Sequence, residues 1–225
     1  MPREPGPLVV SGPVHLNLNR GPRGLLLCDR DGTIIRNRDD YVLSTEDVEF
    51  LPGATSALRR AHEAGLAVVL VSNQSPVGRG LLDAEECLRI HRHVTDALQA
   101  GGAPVTASYL CPHAPADDCV CRKPRPGLAL AALKRFGAPT HRAWLVGDSR
   151  EDMGAAVGAR VRGVLVRTGR GARHEPDVRA DRALTGVRIE DDLAAAVQLA
   201  VSDGARAHPE PSNSVHLPPV SDLEV

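Results

Sequence analysis

The chain has 225 residues, a formal net charge of -1, 42% hydrophobic and 24% charged residues, and only two Phe, two Tyr and one Trp. That length suits one large domain or two small ones and can bury a sizeable core. Balanced charge and scarce aromatics argue against a nucleic-acid module, which needs a basic stripe and stacking rings, and against a protein drawn to anionic membranes.

Residues 1–23 and 203–225 are rich in Pro, Ser and Gly and lack periodicity. They are expected to be a loosely ordered N-terminal tail and a disordered C-terminal tail around a folded domain at 24–202. Neither a signal-like apolar run nor a membrane-length one is evident, so a cytoplasmic protein with unpaired cysteines is expected. Inside the domain, apolar runs predict strands at 25–29, 67–71, 106–110, 143–147 and 163–167. Segments of helical period near 53–64, 83–100, 126–136 and 150–158 alternate with them. Strand and helix in alternation predict an α/β fold: a doubly wound, Rossmann-like parallel sheet with helices on both faces. Single helices and loops fill the gaps, so no large cap domain is expected.

In such sheets ligands bind beyond the carboxyl ends of the strands. The first predicted strand leads into Asp29-Arg30-Asp31-Gly32-Thr33 and the second into Ser72-Asn73-Gln74-Ser75. The third leads to a cysteine-rich stretch ending in Arg122-Lys123-Pro124, and the fourth ends at Gly147-Asp148-Ser149-Arg150-Glu151-Asp152. Taken singly, each is an ordinary turn, cap or surface charge. In order along one sheet edge they supply carboxylates, a hydroxyl, a lysine and further carboxylates, the parts of one reaction.

The cysteine-rich stretch is CPHAPADDCVCRKP. Cys111, His113, Cys119 and Cys121 form a three-thiolate, one-imidazole set suited to a closed tetrahedral structural Zn2+. Such a site leaves no position for an activated water. Its expected role is to fold a loop with almost no apolar residue and to hold Arg122 and Lys123 at the rim. Cys28 and Cys87 are expected as small core residues. His62, His91 and His93 are expected on the surface.

The set Asp29-x-Asp31-Gly32-Thr33, Ser72, Lys123 and Gly147-Asp148-Ser149-x-x-Asp152 resembles the four motifs of the haloacid dehalogenase-like superfamily of phosphatases. DRDGT, SNQS, CRKP, PGLAL and GDSREDM are most similar to the heptose 1,7-bisphosphate 7-phosphatases, with the histidinol-phosphate phosphatases as close relatives. The resemblance implies a Mg2+-dependent phosphatase that works through an aspartyl-phosphate. Asp29 would be the nucleophile and Asp31 the general acid and base, while Ser72 and Lys123 stabilise the phosphoryl group. Asp29, Asp148 and the Asp31 carbonyl would hold Mg2+, with Asp152 supporting them.

Thr33, Asn73, Gln74, Ser75, Arg79 and Arg122 are candidate substrate contacts. The run 36–41 could line the entrance, with Arg36 or Arg38 near a distal phosphate. Asp39, Asp40, Asp117 or Asp118 would instead suit the ammonium of histidinol phosphate. The substrate is expected to be a small phosphorylated metabolite, with no nucleic acid or membrane partner, and the chain a monomer. A noncatalytic zinc-stabilised interaction domain is the alternative from another class; its mark would be loss of Asp29, Asp31, Lys123 or Asp148, and all are present. A nucleic-acid 3′-end phosphatase is disfavoured by the lack of basic surface.

Overall fold

The computed structural model describes residues 6–11 and 22–206. A seven-stranded sheet is built from β1 (Leu8–Ser11), β2 (Gly24–Cys28), β3 (Leu66–Asn73), β4 (Ala107–Cys111), β5 (Ala143–Gly147), β6 (Arg162–Val166) and β7 (Arg188–Glu190). Its helices are α1 (Ala54–Glu63), α2 (Ser75–Gly78), α3 (Ala84–Ala100), α4 (Gly127–Phe136), α5 (Arg150–Gly158), α6 (Gly171–Ala180) and α7 (Leu193–Arg206). Among the described residues, no helix is long and apolar enough to cross a membrane.

Strands buried on both faces read as continuous apolar runs, and β2 shows why. Leu26 and Cys28 join the core shared with α1, α3 and α7. Leu25 and Leu27 turn to the opposite core, beneath α4, α5 and α6. On α1, Ala54, Ala57, Leu58 and Ala61 are buried at helical spacing. Helix starts are chemically specified too: the Asp83 carboxylate accepts from the Glu86 amide at 2.7 Å to begin α3.

The strand order is β1-β4-β3-β2-β5-β6-β7. From β2 the chain winds out through β3 and β4 on one side, then through β5, β6 and β7 on the other. The reversal opens a crevice at the carboxyl end of β2, the usual ligand position in such sheets. The connection from β2 to α1 carries small bridges at Asp31, Ile35 and Phe50 and one short 3-10 turn. The connection from β3 to α3 carries only α2. Neither forms a separate cap among the described residues.

The five predicted strands and four predicted helices are present, with ends displaced by a residue or two. Three features differ from the expectation. Residues 8–11 lie in the stretch expected to be loosely ordered, yet they pair antiparallel with β4, from Leu8 opposite Leu110 to Ser11 opposite Ala107. That pairing satisfies an otherwise open sheet edge, a benefit no local pattern announces. Beyond β6, α6, β7 and α7 complete the domain, and α7 runs to Arg206 rather than stopping at 202. His91, expected on the surface, is fully buried on the inner side of α3, whereas His62 and His93 are exposed. Burial pushes the His91 imidazole down to about 3, with Arg30 adding to the effect. Residues 1–5, 12–21 and 207–225 of the expected tails lie outside the described ones.

Candidate active site

Where β2 ends, Asp29 and Asp31 enter the crevice. Gly32 then turns with φ +93°, and a Cβ there would collide with the Asp148 carboxylate. Glycine is needed at this position both for the left-handed backbone and for the close approach of β5. Asp148, at the end of β5, is fixed by the Arg170 amide, which donates to its Oδ2 at 2.8 Å. Thr168 Oγ1 donates to the Gly32 carbonyl at 2.7 Å, tying the loop after β6 to the loop after β2.

Lys123 crosses this floor. Its Nζ donates to Asp29 Oδ1 at 2.7 Å, to Asp152 Oδ1 at 2.6 Å and to the Val71 carbonyl at 2.8 Å. All three ammonium protons are therefore used inside the protein. Asp152 also accepts from the Ser149 amide at 3.1 Å and from the Ser149 hydroxyl, so one carboxylate closes the first turn of α5 and holds the lysine. Burial pushes Asp29 up to about 6 despite the attraction of Lys123, with repulsion from Asp152 and Asp31 adding to the rise. Asp148 is pushed up to about 8, again by burial first and then by Asp29 and Asp152. Burial opposes the charge on Lys123, but Asp152 and then Asp29 outweigh it and leave the ammonium above its ordinary value.

Ser72, buried at the end of β3, faces the same crevice, and its hydroxyl accepts from Gln74 Nε2 at 3.1 Å. Gln74 was expected against substrate, but its amide is committed elsewhere: Nε2 also donates to Asp31 Oδ2 at 2.9 Å and Oε1 accepts from Arg30 at 2.9 Å. Asn73 is likewise bound within the protein. Its side chain donates to the Lys123 carbonyl at 3.1 Å and accepts from the Lys123 amide at 3.0 Å, so although Asn73 lines the cavity its amide braces the lysine's backbone. Thr33 is completely buried and does not line the cavity, so its expected substrate contact falls away.

The four soft ligands come together as a compact group. Contacts among the sulfurs of Cys111, Cys119 and Cys121 and the Nδ1 of His113 run from 3.3 to 3.6 Å. A regular tetrahedron with such edges has its centre about 2.1 Å from each corner, close to the ~2.0–2.3 Å of Zn–N and Zn–S bonds. All three thiols are free rather than bridged. Burial pushes the Cys111 and Cys121 thiols up, a cost that a bound dication would offset by favouring thiolates. The loop they fold touches the neighbouring turn directly: Gly78 N donates to the Pro112 carbonyl at 2.7 Å, and Gln74 N to the Cys111 carbonyl at 2.7 Å.

A cavity of about 340 Å³ lies over this floor, reached by Asp29, Asp31, Ser72, Lys123 and Asp148. Its rim carries more cations than anions, five arginines against Asp39 and Glu151. Arg79 and Arg122 stand on the β3 side, Arg38 on the β2 loop, and Arg170 and Arg173 at the start of α6. Arg122 Nη1 donates to Ser75 Oγ at 2.8 Å and to the His113 carbonyl at 3.3 Å, which anchors the guanidinium at the cavity wall. Arg36 turns away instead and pairs with Glu49 at 2.8 Å. Of the four acids suited to an ammonium, only Asp39 lines the cavity; Asp117 accepts from the Ala114 amide and Asp118 pairs with Arg125. Arg170 and Arg173 were not foreseen, because they follow the last predicted strand, where no motif marks them.

Comparison with known proteins matches this arrangement. A family model described as HAD-hydrolase-like covers residues 120–197. The D-glycero-beta-D-manno-heptose-1,7-bisphosphate 7-phosphatase of Pseudomonas aeruginosa is 35% identical over 173 residues, covering 77% of this chain and 95% of that protein. The chain belongs to the haloacid dehalogenase-like phosphatases. The Bordetella bronchiseptica protein of the same name is 37% identical over 175 residues, covering 77% of this chain and 96% of its own length. A crystal structure of the D,D-heptose 1,7-bisphosphate phosphatase from B. bronchiseptica, complexed with magnesium and phosphate, superposes with a TM-score of 0.75 at 35% identity. It covers 80% of this chain and 99% of that one.

As a haloacid dehalogenase-like phosphatase, the chain is a phosphoric monoester hydrolase. Its donor set fits a hard dication. Carboxylate oxygens of Asp29, Asp148 and Asp152 lie within 4.8 Å of one another, with one lysine to neutralise them. The upward displacement of Asp29 and Asp148 is the mark of excess buried negative charge, which a cation in the crevice would relieve.

Proposed function

We propose that the chain removes the 7-phosphate of D-glycero-D-manno-heptose 1,7-bisphosphate. Family membership supports phosphatase chemistry; the observation that carries the substrate assignment is the cationic rim. Arg79, Arg122, Arg170 and Arg173 line the cavity and none has an acidic partner among the described residues. By contrast Arg167, ahead of α6, and Arg179, within it, are both neutralised by Glu175 at 2.7 Å. Unpaired guanidiniums around an opening suit a substrate with a second phosphate and repel the ammonium of histidinol phosphate.

In this reading Asp29 attacks phosphorus, the bond from phosphorus to the sugar oxygen breaks, and Asp31 gives its proton to the departing alkoxide. Water then attacks the aspartyl-phosphate and yields its proton to Asp31. The bond from phosphorus to Asp29 breaks, inorganic phosphate leaves and Asp29 is regenerated. Ser72 donates to a phosphoryl oxygen and Lys123 offsets charge on Asp29 throughout. Mg2+, held by Asp29, Asp148 and the Asp31 carbonyl, would supply charge neutralisation between nucleophile and phosphate. Asp152 supports that group by anchoring Lys123. Cys111, His113, Cys119 and Cys121 would hold a structural Zn2+, which would keep Arg122 and Lys123 in place.

A phosphate-release screen tests the assignment, with heptose 1,7-bisphosphate, other sugar bisphosphates, sugar monophosphates and histidinol phosphate compared side by side. The heptose bisphosphate is expected to give the highest kcat/KM. A higher value for histidinol phosphate would overturn it.

A further inference from the structure

We infer that Arg30 is a positioning residue for Asp31, and that with Gln74 it sets the orientation from which Asp31 exchanges its proton. This rests on the reading of Asp31 as general acid and base. The Arg30 side chain is 1% exposed although it carries a full charge. Its Nε donates to Asp31 Oδ1 at 3.1 Å and its Nη2 to Asp31 Oδ2 at 3.0 Å, a two-pronged grip on both oxygens. Nη2 also donates to Gln74 Oε1 at 2.9 Å, and Gln74 Nε2 returns a bond to Asp31 Oδ2 at 2.9 Å. Arg30, Asp31 and Gln74 therefore close a triangle of hydrogen bonds, and Gln74 extends it to Ser72 at 3.1 Å.

A bidentate pair between adjacent residues is not what a strand end offers by default, because successive side chains there diverge. The loop is folded to allow it. Amides of Ile34 and Ile35 donate to the Arg30 carbonyl at 2.9 and 3.1 Å, and Gly32 N donates to the Ile35 carbonyl at 2.7 Å. On α3, Cys87 and His91 are one turn apart, both buried, and within electrostatic range of the guanidinium. Arg30 Nη1 and both ring nitrogens of His91 have no hydrogen-bond partner among the described residues. Thus the hydrogen bonds of the guanidinium are directed at Asp31 and Gln74.

The consequence is geometric. An aspartate at a cavity wall can rotate about two torsions, whereas proton transfer requires one oxygen at about 2.6–3.2 Å from the reacting atom. A carboxylate has about four acceptor positions. Arg30 Nε takes one position on Oδ1, and Arg30 Nη2 and Gln74 Nε2 together take those on Oδ2, so the remaining position on Oδ1 is left for the cavity.

The test uses the full-length protein and two substrates, the sugar bisphosphate and an aryl monophosphate whose leaving group needs no proton. Arg30→Met is expected to lower kcat on the sugar substrate by about tenfold or more and on the aryl substrate by less than about threefold, with KM on each changed by less than about twofold. Arg30→Lys should restore part of the difference. Gln74→Met should shift the ratio the same way by less, and it carries the test if thermal unfolding shows that Arg30→Met does not fold. In an Asp31→Asn background neither change should alter the ratio further, since both act through Asp31. Equal losses on the two substrates, or an undiminished change of ratio in the Asp31→Asn background, would overturn the inference. If Asp31→Asn itself leaves the ratio unchanged, the acid-base reading fails first. If Asp31→Asn changes the ratio while folded Arg30→Met, or Gln74→Met in its place, does not, the positioning role alone fails.

Discussion

Lys123 and Asp152, 29 positions apart in the chain, meet at 2.6 Å in the protein interior. The same ammonium holds Asp29 at 2.7 Å, so one lysine joins the loop after β4, the end of β2 and the first turn of α5. Removing one partner of a buried pair costs about 3–5 kcal/mol, because the other charge stays buried and unpaired. Lys123→Met should therefore lose that much stability along with turnover, read as a lower denaturant midpoint at unchanged slope. Adding Asp152→Asn should recover part of the loss. A double variant as unstable as the sum of the singles would show the contact to be energetically idle.

Asp29→Asn should abolish turnover and phosphoenzyme formation while leaving the protein folded, since Lys123 keeps Asp152 and one buried carboxylate is gone. Single-turnover kinetics with an aryl phosphate should show no burst. Mg2+-dependent turnover by this variant would reject the covalent route.

The displaced carboxylates set a pH dependence. Asp148 moves from an ordinary 3.8 up to about 8 in the folded protein. Between those values the unfolded chain binds fewer protons at this group than the folded one, so its contribution to stability is present at low pH and lost as pH rises toward 8. Mg2+ at the carboxylates should cancel that loss. The rise in Tm on adding Mg2+ is expected to grow from pH 5 to pH 8, and a rise that shrinks over this interval would argue against these ligands.

Purified protein should contain about one Zn2+ per chain and still need added Mg2+ for activity. Cys119→Ser should lower zinc content and Tm together, because the binding energy of a structural metal is folding energy. Metal analysis finding no zinc in protein with reduced cysteines would refute this, as would activity restored by zinc alone.

Arg122, anchored by Ser75 at the cavity wall, should act on a distal anion rather than on the transferring phosphate. Arg122→Ala is expected to raise KM for the bisphosphate by about tenfold or more and for a simple monophosphate by much less, as loss of one charge-assisted contact requires. Equal increases for both would assign the residue to the reacting phosphate instead.

The alternation of apolar runs with helical segments determined the class of the fold, and turn chemistry after each run determined which side chains gather at one sheet edge. Both are local signals: a period of two or 3.6, and a glycine or carboxylate at a strand end. The cysteine cluster was legible for the same reason, since its ligands lie within eleven residues. Only the tertiary structure decided partners from distant segments. Leu8–Ser11 became a strand because β4 presented an open edge. Asn73 braces the active-site lysine because its amide meets the backbone of Lys123, 50 residues on. His91 and Arg30 were buried together by the packing of α3 on the first loop, and Arg170 and Arg173 reached the rim because β6 delivers α6 beside Asp148. Hydrogen bonds and charge pairs depend on where two remote backbones are brought together, and no pattern within either segment records that distance.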